Sequence, residues 1–299
     1  MIKYLLTGAN GFLGSVIKDT IESPDRIVES LGRSKTNSMS IDLSKVIPIF
    51  ETSYDIVIHC AGKAHSKPRT VFEKQEFFEV NFQATINLCL ALENLKKLPM
   101  QFVFISSVAV YGVDSGLDID ERQPLRGDTP YALSKIKAEE YLINWGQKYG
   151  IEILILRLPL IIGANAPGNL GKMVNGIGKG RYLSIGGGKA RKSMVLADDV
   201  AQLINTCPKV AGVYNLTDGV HPSFGELESL ISKQLNKSKP IIIPIGLAKL
   251  LGRVGDVIPF FLINTTTVNK IVKDLTFSDL KARQQLGWNP TSVIENWKI

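Results

Sequence analysis

An apolar run from Ile2 to Leu6 ends abruptly in Thr7-Gly8-Ala9-Asn10-Gly11-Phe12-Leu13-Gly14, and no other stretch constrains the chain as much. Three glycines spaced by two residues, directly after a buried strand, read as strand, tight turn and helix. Gly8 allows the turn, Gly11 removes a Cβ where backbone must approach a pyrophosphate, and Gly14 lets the next helix pack closely on the strand. The unpaired N–H groups and the positive dipole end of that helix then face an anion. A plain flexible turn is the competing reading, and a glycine triplet alone is a weak signal. Its place behind the first strand favours a dinucleotide loop.

Strands and helices alternate after it. Arg26 to Ser34 reads as a second strand, Ser40-Ile41-Asp42-Leu43 as a short segment with one carboxylate, and Asp55 to Gly62 as a buried strand. The last of these ends in Cys60, Ala61 and Gly62, small residues that leave room for a ligand. A helix is expected to open at Glu79-Val80-Asn81 and to run through Ala84, Leu88, Leu92 and Leu95. Phe102 to Ser107 is a further buried strand with two hydroxyls, Ser106 and Ser107, at its end, and Ile151 to Leu156 is a sixth. Such alternation predicts right-handed crossovers, a parallel sheet, and ligands outside the carboxyl ends of the strands.

Composition narrows the partners. The 299 residues, 44% hydrophobic, suffice for one large or two unequal domains. Cys60, Cys89 and Cys207 stand in apolar or helical surroundings without metal-like spacing, so they read as buried thiols of a reducing compartment, and no metal is expected. No apolar run reaches the roughly 18 to 20 residues of a spanning helix, and the first strand begins where a leader would stand, so a cytoplasmic protein is expected. The net charge of +7 is dispersed rather than striped and lacks interleaved aromatics, which argues against nucleic acid and for an anionic small molecule.

The end of the second strand bears on the cofactor. An acidic residue about 20 positions after the glycines binds ribose hydroxyls, whereas an arginine there accommodates a 2′-phosphate. Arg33 lies 19 positions after Gly14, with Ser34 beside it and no carboxylate at that end. NADP(H) is therefore favoured over NAD(H), a solvated surface arginine being the competing reading. Further on, Tyr131 and Lys135 in Thr129-Pro130-Tyr131-Ala132-Leu133-Ser134-Lys135 fall four apart on one helix face. A phenol ordinarily titrates near 10, and a neighbouring ammonium eases its ionisation. With a serine hydroxyl nearby, the trio can move a proton at a carbonyl or carbinol while a nicotinamide moves hydride.

With these residues in place, the chain resembles the extended short-chain dehydrogenase/reductase family, in its branch of nucleotide-sugar epimerases, dehydratases and 4-ketoreductases. Thr7 to Gly14 is similar to TGxxGxxG, Asn81 to the helix asparagine, Ser107 to the active-site hydroxyl before a V-Y-G turn, and Tyr131 with Lys135 to YxxxK. The resemblance implies that Tyr131 is the general acid/base, that Ser107 positions the substrate oxygen, and that Lys135 tunes the tyrosine and binds the nicotinamide ribose. The residue reading and the resemblance together give a cofactor site of Gly8, Asn10, Gly11, Phe12, Leu13, Gly14, Arg33, Ser34, Asp42, Leu43, Cys60, Ala61, Gly62, Asn81, Ser106, Tyr131, Lys135 and Pro159, with Arg33 and Ser34 resting on the local chemistry alone. The 4,6-dehydratases of the family carry Asp-Glu after the active-site hydroxyl; here Val108 and Ala109 stand there, which disfavours dehydration.

On the substrate side, Asn169-Leu170 resembles a pair that opens a helix and touches a diphosphate. In the basic run before Asp199, Lys192 aligns with the family's diphosphate-clamping arginine, and Arg191 is the guanidinium that can substitute for it. Phe224 opens an amphipathic helix and Pro240 to Pro244 is strand-like. The apolar stretch Leu247 to Leu262 leaves two readings, a helix pair packed on its own domain or a surface that docks on a partner or membrane. Asp279 to Pro290 resembles a C-terminal element that closes the substrate domain.

The expected fold is α/β: a Rossmann-like doubly wound parallel sheet over 1–163, with part of 190–217 assignable to it, and a smaller discontinuous α/β unit over 164–299 that binds a nucleoside-diphosphate sugar. A homodimer is compatible with this class. The expected activity is NADPH-dependent reduction of a 4-keto sugar, with an NAD-dependent 4-epimerase as the alternative and a cofactor-binding regulatory protein as the rival of another class.

Overall fold

The computed structural model describes residues 1–64, 68–206, 209–257 and 265–299. Cys207 and the part of the 247–262 stretch beyond Val257 lie outside them. In the first part of the chain run β1 (Ile2–Thr7), α1 (Phe12–Ile21), β2 (Arg26–Gly32), β3 (Met39–Ser40), β4 (Ile56–His59), α2 (Val71–Phe78), α3 (Ala84–Glu93), β5 (Gln101–Ser107), β6 (Gly116–Ile119), α4 (Pro130–Tyr149) and β7 (Glu152–Leu158). The second part holds β8 (Leu160–Ile162), α5 (Gly168–Gly178), β9 (Leu183–Ile185), β10 (Met194–Leu196), α6 (Ala197–Thr206), β11 (Gly212–Asn215), α7 (Phe224–Gln234), β12 (Ile241–Ile243), α8 (Ile245–Val257), α9 (Thr265–Val272), β13 (Leu275–Phe277), α10 (Leu280–Leu286) and α11 (Val293–Asn296).

Seven parallel strands form one sheet in the order β11-β7-β5-β4-β1-β2-β3. The chain winds outward from β1 to β3, then returns to β4 on the other side of β1. That reversal is the switch point at which a doubly wound sheet opens a crevice. Pairing brings the carboxyl ends level: Thr7 faces His59, His59 faces Phe104, and Ser107 faces Leu158. Strand alternation sorts the apolar side chains to two layers. Tyr4 and Leu6 pack under α1 and α6, while Leu5 packs with Leu88, Leu92, Leu142 and Trp145 of α3 and α4 on the opposite face. The edge strand β11 belongs to this sheet.

A separate apolar cluster joins Leu170 and Met173 of α5 to Leu227 and Ile231 of α7, with Val293 and Trp297 from the C-terminus. The helix α7 starts where Ser223 and Glu226 close a reciprocal capping box, as Phe224 led us to expect. The C-terminal element differs from expectation. Ala282 and Trp288 bury themselves in the cluster of α1 and α6, and the Trp288 indole donates to the Thr217 carbonyl at 3.0 Å, so the element ties the second part back onto the main sheet.

The helix expected to open at Glu79 begins earlier, at Val71. Thr70 caps it by accepting from the Glu73 amide, and the helical path continues through a wide π turn at Glu79–Gln83 into α3. The glycine loop follows expectation. Gly8 has φ of +75°, and a Cβ on it would lie 2.6 Å from the Ala61 amide nitrogen, while a Cβ on Gly14 would overlap the Gly8 carbonyl oxygen. A Cβ on Gly11 meets only that oxygen, at 3.2 Å. Gly14→Ala is therefore expected to lower ligand-free stability by about 2–3 kcal/mol, the range of overpacked sites, and Gly11→Ala by less. Thermal or urea unfolding of the two variants checks the order; equal effects would contradict the packing role of Gly14.

Candidate active site

At the start of α1, Gly11 offers no side-chain cap and the first turn carries no acidic residue. Its leading N–H groups are the donors an anion would use. Asn10 reaches across to donate to Thr36 at 2.7 Å, and Thr36 shares a hydrogen bond with Ser34 at 2.8 Å. The loop after β2, which carries Arg33, is thereby tied to the glycine loop. Arg33 and Ser34 are both exposed, and no carboxylate pairs with the Arg33 guanidinium among the described residues. Asp42 uses its carboxylate locally, accepting from the Ser44 amide and hydroxyl, and Leu43 is buried with its carbonyl held by Asn87.

Behind this crevice a chain of hydrogen bonds fixes the ends of β1 and β4. The Ala61 amide donates to the Thr7 hydroxyl at 3.2 Å, and that hydroxyl meets His59 Nδ1 at 2.6 Å. The other ring nitrogen, Nε2, meets Thr85 at 3.0 Å, and Thr85 donates to the Asn81 carbonyl at 2.8 Å. One assignment satisfies every donor: a neutral imidazole with its proton on Nε2. Burial pushes the His59 pKa down to about 3, with the Lys135 charge adding to the fall, so the ring stays neutral.

The π turn aims the Asn81 side chain at two elements at once. Its Oδ1 accepts from the Lys63 amide at 2.6 Å, and its Nδ2 donates to the Lys63 carbonyl and to Ser134 at 2.9 Å. Ser134 in turn donates to the Tyr131 carbonyl. Asn81 thus joins the loop after β4 to the first turn of α4. Gly62 lies in the same corner: a Cβ there would stand 3.1 Å from Asn81 Oδ1 and 3.4 Å from Lys135 Nζ. Half-buried Cys60 has its thiol pushed up to about 12 by burial, so it is an inert wall.

Thr129 and Pro130 start α4 in the standard way, the threonine hydroxyl accepting from the Ala132 amide. Tyr131, Lys135 and Glu139 then share one face. The Ser107 hydroxyl stands beside the Tyr131 phenol and accepts from the Ala109 amide at 3.2 Å, and the Phe77 ring sits edge-on to Tyr131 at 6.2 Å. Desolvation raises the Tyr131 pKa above 10, with the Ser107 hydroxyl pulling the other way. Lys135 is buried, donates to the Ile105 carbonyl at 2.8 Å and lies 4.5 Å from the centre of the Phe104 ring. Burial lowers its pKa to about 8, with Cys60 and Glu139 opposing the fall.

Glu139 and Arg157 were not singled out from sequence as parts of the site. Their buried pair closes at 2.6 Å; Arg157 also donates to the Tyr111 hydroxyl at 3.0 Å, which donates to Asn215 at 2.7 Å. Ser106 donates to Glu139 at 2.5 Å, which locks the end of β5 next to Ser107 and the Ile105 carbonyl. The spacing from Lys135 to Glu139, one further helical turn, was the available signal.

The remaining expected residues are dispersed. Pro159 is half-buried between β7 and β8, Leu170 is buried in the core of the second part, and exposed Asn169 lies in the first turn of α5, which opens at Gly168 as expected. Arg191 donates to the carbonyls of His221 and Val220, and Lys192 Nζ donates at 2.8 Å to both Lys270 and Lys273 carbonyls at the end of α9. Each of these cations is thus engaged by backbone. No cluster of three metal-ligating side chains occurs among the described residues, and no described helix is long and apolar enough to cross a membrane.

The sheet crevice, the uncapped helix and the Ser107-Tyr131-Lys135 group define a dinucleotide-binding oxidoreductase-type protein. The chain belongs to the NAD dependent epimerase/dehydratase family, whose model matches residues 4–210. It is 28% identical over 267 residues to the N-acetyl-alpha-D-glucosaminyl-diphospho-ditrans,octacis-undecaprenol 4-epimerase of Escherichia coli O157:H7, covering 85% of this chain and 79% of that protein. The fold is that of a Bacillus cereus UDP-glucuronic acid 4-epimerase in complex with UDP-glucuronic acid and NAD, at a TM-score of 0.76 and 20% identity over 99% of this chain and 96% of that one. It is also that of RMD from Pseudomonas aeruginosa complexed with NADPH, at a TM-score of 0.75 and 21% identity, with 99% and 96% covered. Other relatives, at 24 to 28% identity, are named as a putative UDP-glucose 4-epimerase, a dTDP-glucose 4,6-dehydratase, a GDP-6-deoxy-D-mannose reductase and a sterol-4-alpha-carboxylate 3-dehydrogenase, and this chain is an enzyme of the NAD dependent epimerase/dehydratase family.

The site residues carry a pH expectation. Lys135 is charged below about 8 and loses its proton as pH rises through that value, so kcat/KM should fall on the alkaline side. Glu139→Gln removes a charge that holds the proton on, and the alkaline limb should move to lower pH, together with a loss of stability from the unpaired Arg157. A limb that stays in place while stability falls would leave Glu139 a purely structural residue.

Proposed function

We propose that the protein reduces the 4-keto group of a nucleoside-diphosphate sugar with NADPH. The observation that carries the cofactor choice is the Arg33 guanidinium, exposed and without an acidic partner among the described residues, on a loop that Ser34, Thr36 and Asn10 tie to the glycine loop. A 2′-phosphate would complete it, and a ribose hydroxyl would not. In this reading Gly8 to Gly14 and the first turn of α1 hold the diphosphate, and Asn81, Tyr131 and Lys135 hold the nicotinamide end. The sugar would lie between the sheet unit and the smaller unit formed largely from 164–299.

A nicotinamide held there would supply hydride to the carbonyl carbon. Tyr131, kept protonated by its desolvated surroundings, gives its proton to the carbonyl oxygen, and Ser107 orients that oxygen through its own hydroxyl. Lys135, one helical turn from Tyr131 and held on the Ile105 carbonyl and against the Phe104 face in the ligand-free chain, would stabilise the phenolate left behind. Val108 and Ala109 put no acid or base beyond Ser107, which supports single-centre chemistry over elimination of water.

A second reading, 4-epimerisation with retained NAD, is favoured by the Escherichia coli relative, which is named for that reaction on a sugar diphosphate. The same Ser107, Tyr131 and Lys135 would serve it in both directions. Absorbance at 340 nm separates the two when the protein is supplied with 4-keto or 4-hydroxy UDP- and GDP-sugars. The reductase reading expects one NADPH consumed per 4-keto sugar, with NADPH preferred over NADH and the preference largely lost in Arg33→Ala. Interconversion of 4-hydroxy sugars with no net change in nicotinamide would overturn it in favour of the epimerase.

A further inference from the structure

Helix α8 leaves an apolar face that the other described residues do not cover. Leu247, Leu250 and Val254 recur at three- and four-residue spacing, fall on one stripe of α8, and are 49%, 57% and 40% exposed. On the other side of the helix Ala248 is buried with Ile185 and with Val268 of α9, so the stripe points away from the chain's own core. Ile241 and Ile242 of β12, just ahead of α8 in the chain, are also exposed, at 73% and 62%, on opposite faces of their strand. Single exposed aliphatics are ordinary on a protein surface; a contiguous group of this size marks a contact face.

The charges around the patch choose the occupant. Lys249 and Arg253 flank the stripe on α8, Lys237 and Lys239 precede β12, and all four are exposed. No carboxylate pairs with any of them among the described residues. Asp256 on the same helix is engaged elsewhere, accepting from Thr265 of α9. A second copy docked about a two-fold axis would set these cations against their own equivalents. An anionic bilayer surface takes the aliphatic stripe into its headgroup boundary and pairs the cations with phosphates. Helix α8 also adjoins the sugar side of the chain: Ile245 lies against Gly186, and the carbonyls at the end of α9 hold Lys192.

We propose that the outward stripe of α8, residues 247–254, forms a docking surface for anionic phospholipid membranes, with the protein lying on the bilayer rather than crossing it. The test is co-sedimentation of the full chain with phosphatidylethanolamine/phosphatidylglycerol vesicles and with phosphatidylcholine vesicles. Wild type is expected to bind the anionic vesicles about tenfold better than the neutral ones. Leu247→Glu/Leu250→Glu and Lys249→Glu/Arg253→Glu should each lose about tenfold or more of that binding. Turnover of a water-soluble sugar nucleotide should be the same in all three proteins. Absent binding, equal binding to both vesicle types, or binding unchanged in either variant overturns the proposal. So does a wild-type dimer that Leu247→Glu/Leu250→Glu converts to monomer in light scattering, since that assigns the face to a second copy. Vesicle binding is read without catalysis, so the fate of the proposed reaction is judged separately.

Discussion

The site depends on how one ammonium is held where there is little water. Lys135 sits beneath the sheet end with the Ile105 carbonyl as its acceptor, the Phe104 ring at its side and the carboxylate of Glu139 one turn further along α4. A buried cation is stable only when such partners offset its lost hydration. Glu139 in turn needs Arg157 and Ser106, and Arg157 needs Tyr111, so the network runs from α4 through the ends of β5 and β7 to Asn215 on the edge strand. Any shift of these strand ends would move Ser107 and the Lys135 acceptor together.

A second network does the same for the nucleotide side. Neutral His59 can bridge Thr7 and Thr85 only with its proton on Nε2, and this orders the hydrogen bonds from the loop after β4 to the Asn81 carbonyl. Asn81 then reaches Ser134, and through it the Tyr131 backbone. The glycine loop and α4, far apart in sequence, are thus held by one path of satisfied buried groups. Such a path transmits position because each unmade bond would leave a buried polar group without a partner.

The sequence made the parts with local signatures legible. The glycine loop, the buried strands with small or hydroxyl ends, and the Tyr131-Lys135 spacing all follow from short-range rules of turn chemistry and periodicity. What it hid was set by tertiary neighbours. The π turn at Asn81 depends on packing against α4, and the early start at Val71 rests on a Thr70 cap in a stretch with little apolar periodicity. Ser106 and Ser107 look alike in the chain, yet alternation along β5 sends one to Glu139 and leaves the other at Tyr131. Arg191 and Lys192 are read from sequence as candidate diphosphate contacts, and the backbone carbonyls that long-range folding sets against both have no signature in the chain.

The central claim is that this fold presents Tyr131 as a protonated acid, because burial outweighs the help of its neighbours, while the Lys135 ammonium is held on the Ile105 carbonyl. The direct measurement is a phenolate difference titration in the ultraviolet, wild type minus Tyr131→Phe, on the ligand-free protein. The account expects the Tyr131 signal to emerge only above pH 10, beyond an ordinary tyrosine. A Tyr131 phenolate that forms well below pH 10 without ligand would contradict it, since Lys135 would then already be acting on the phenol rather than being held back by the sheet end.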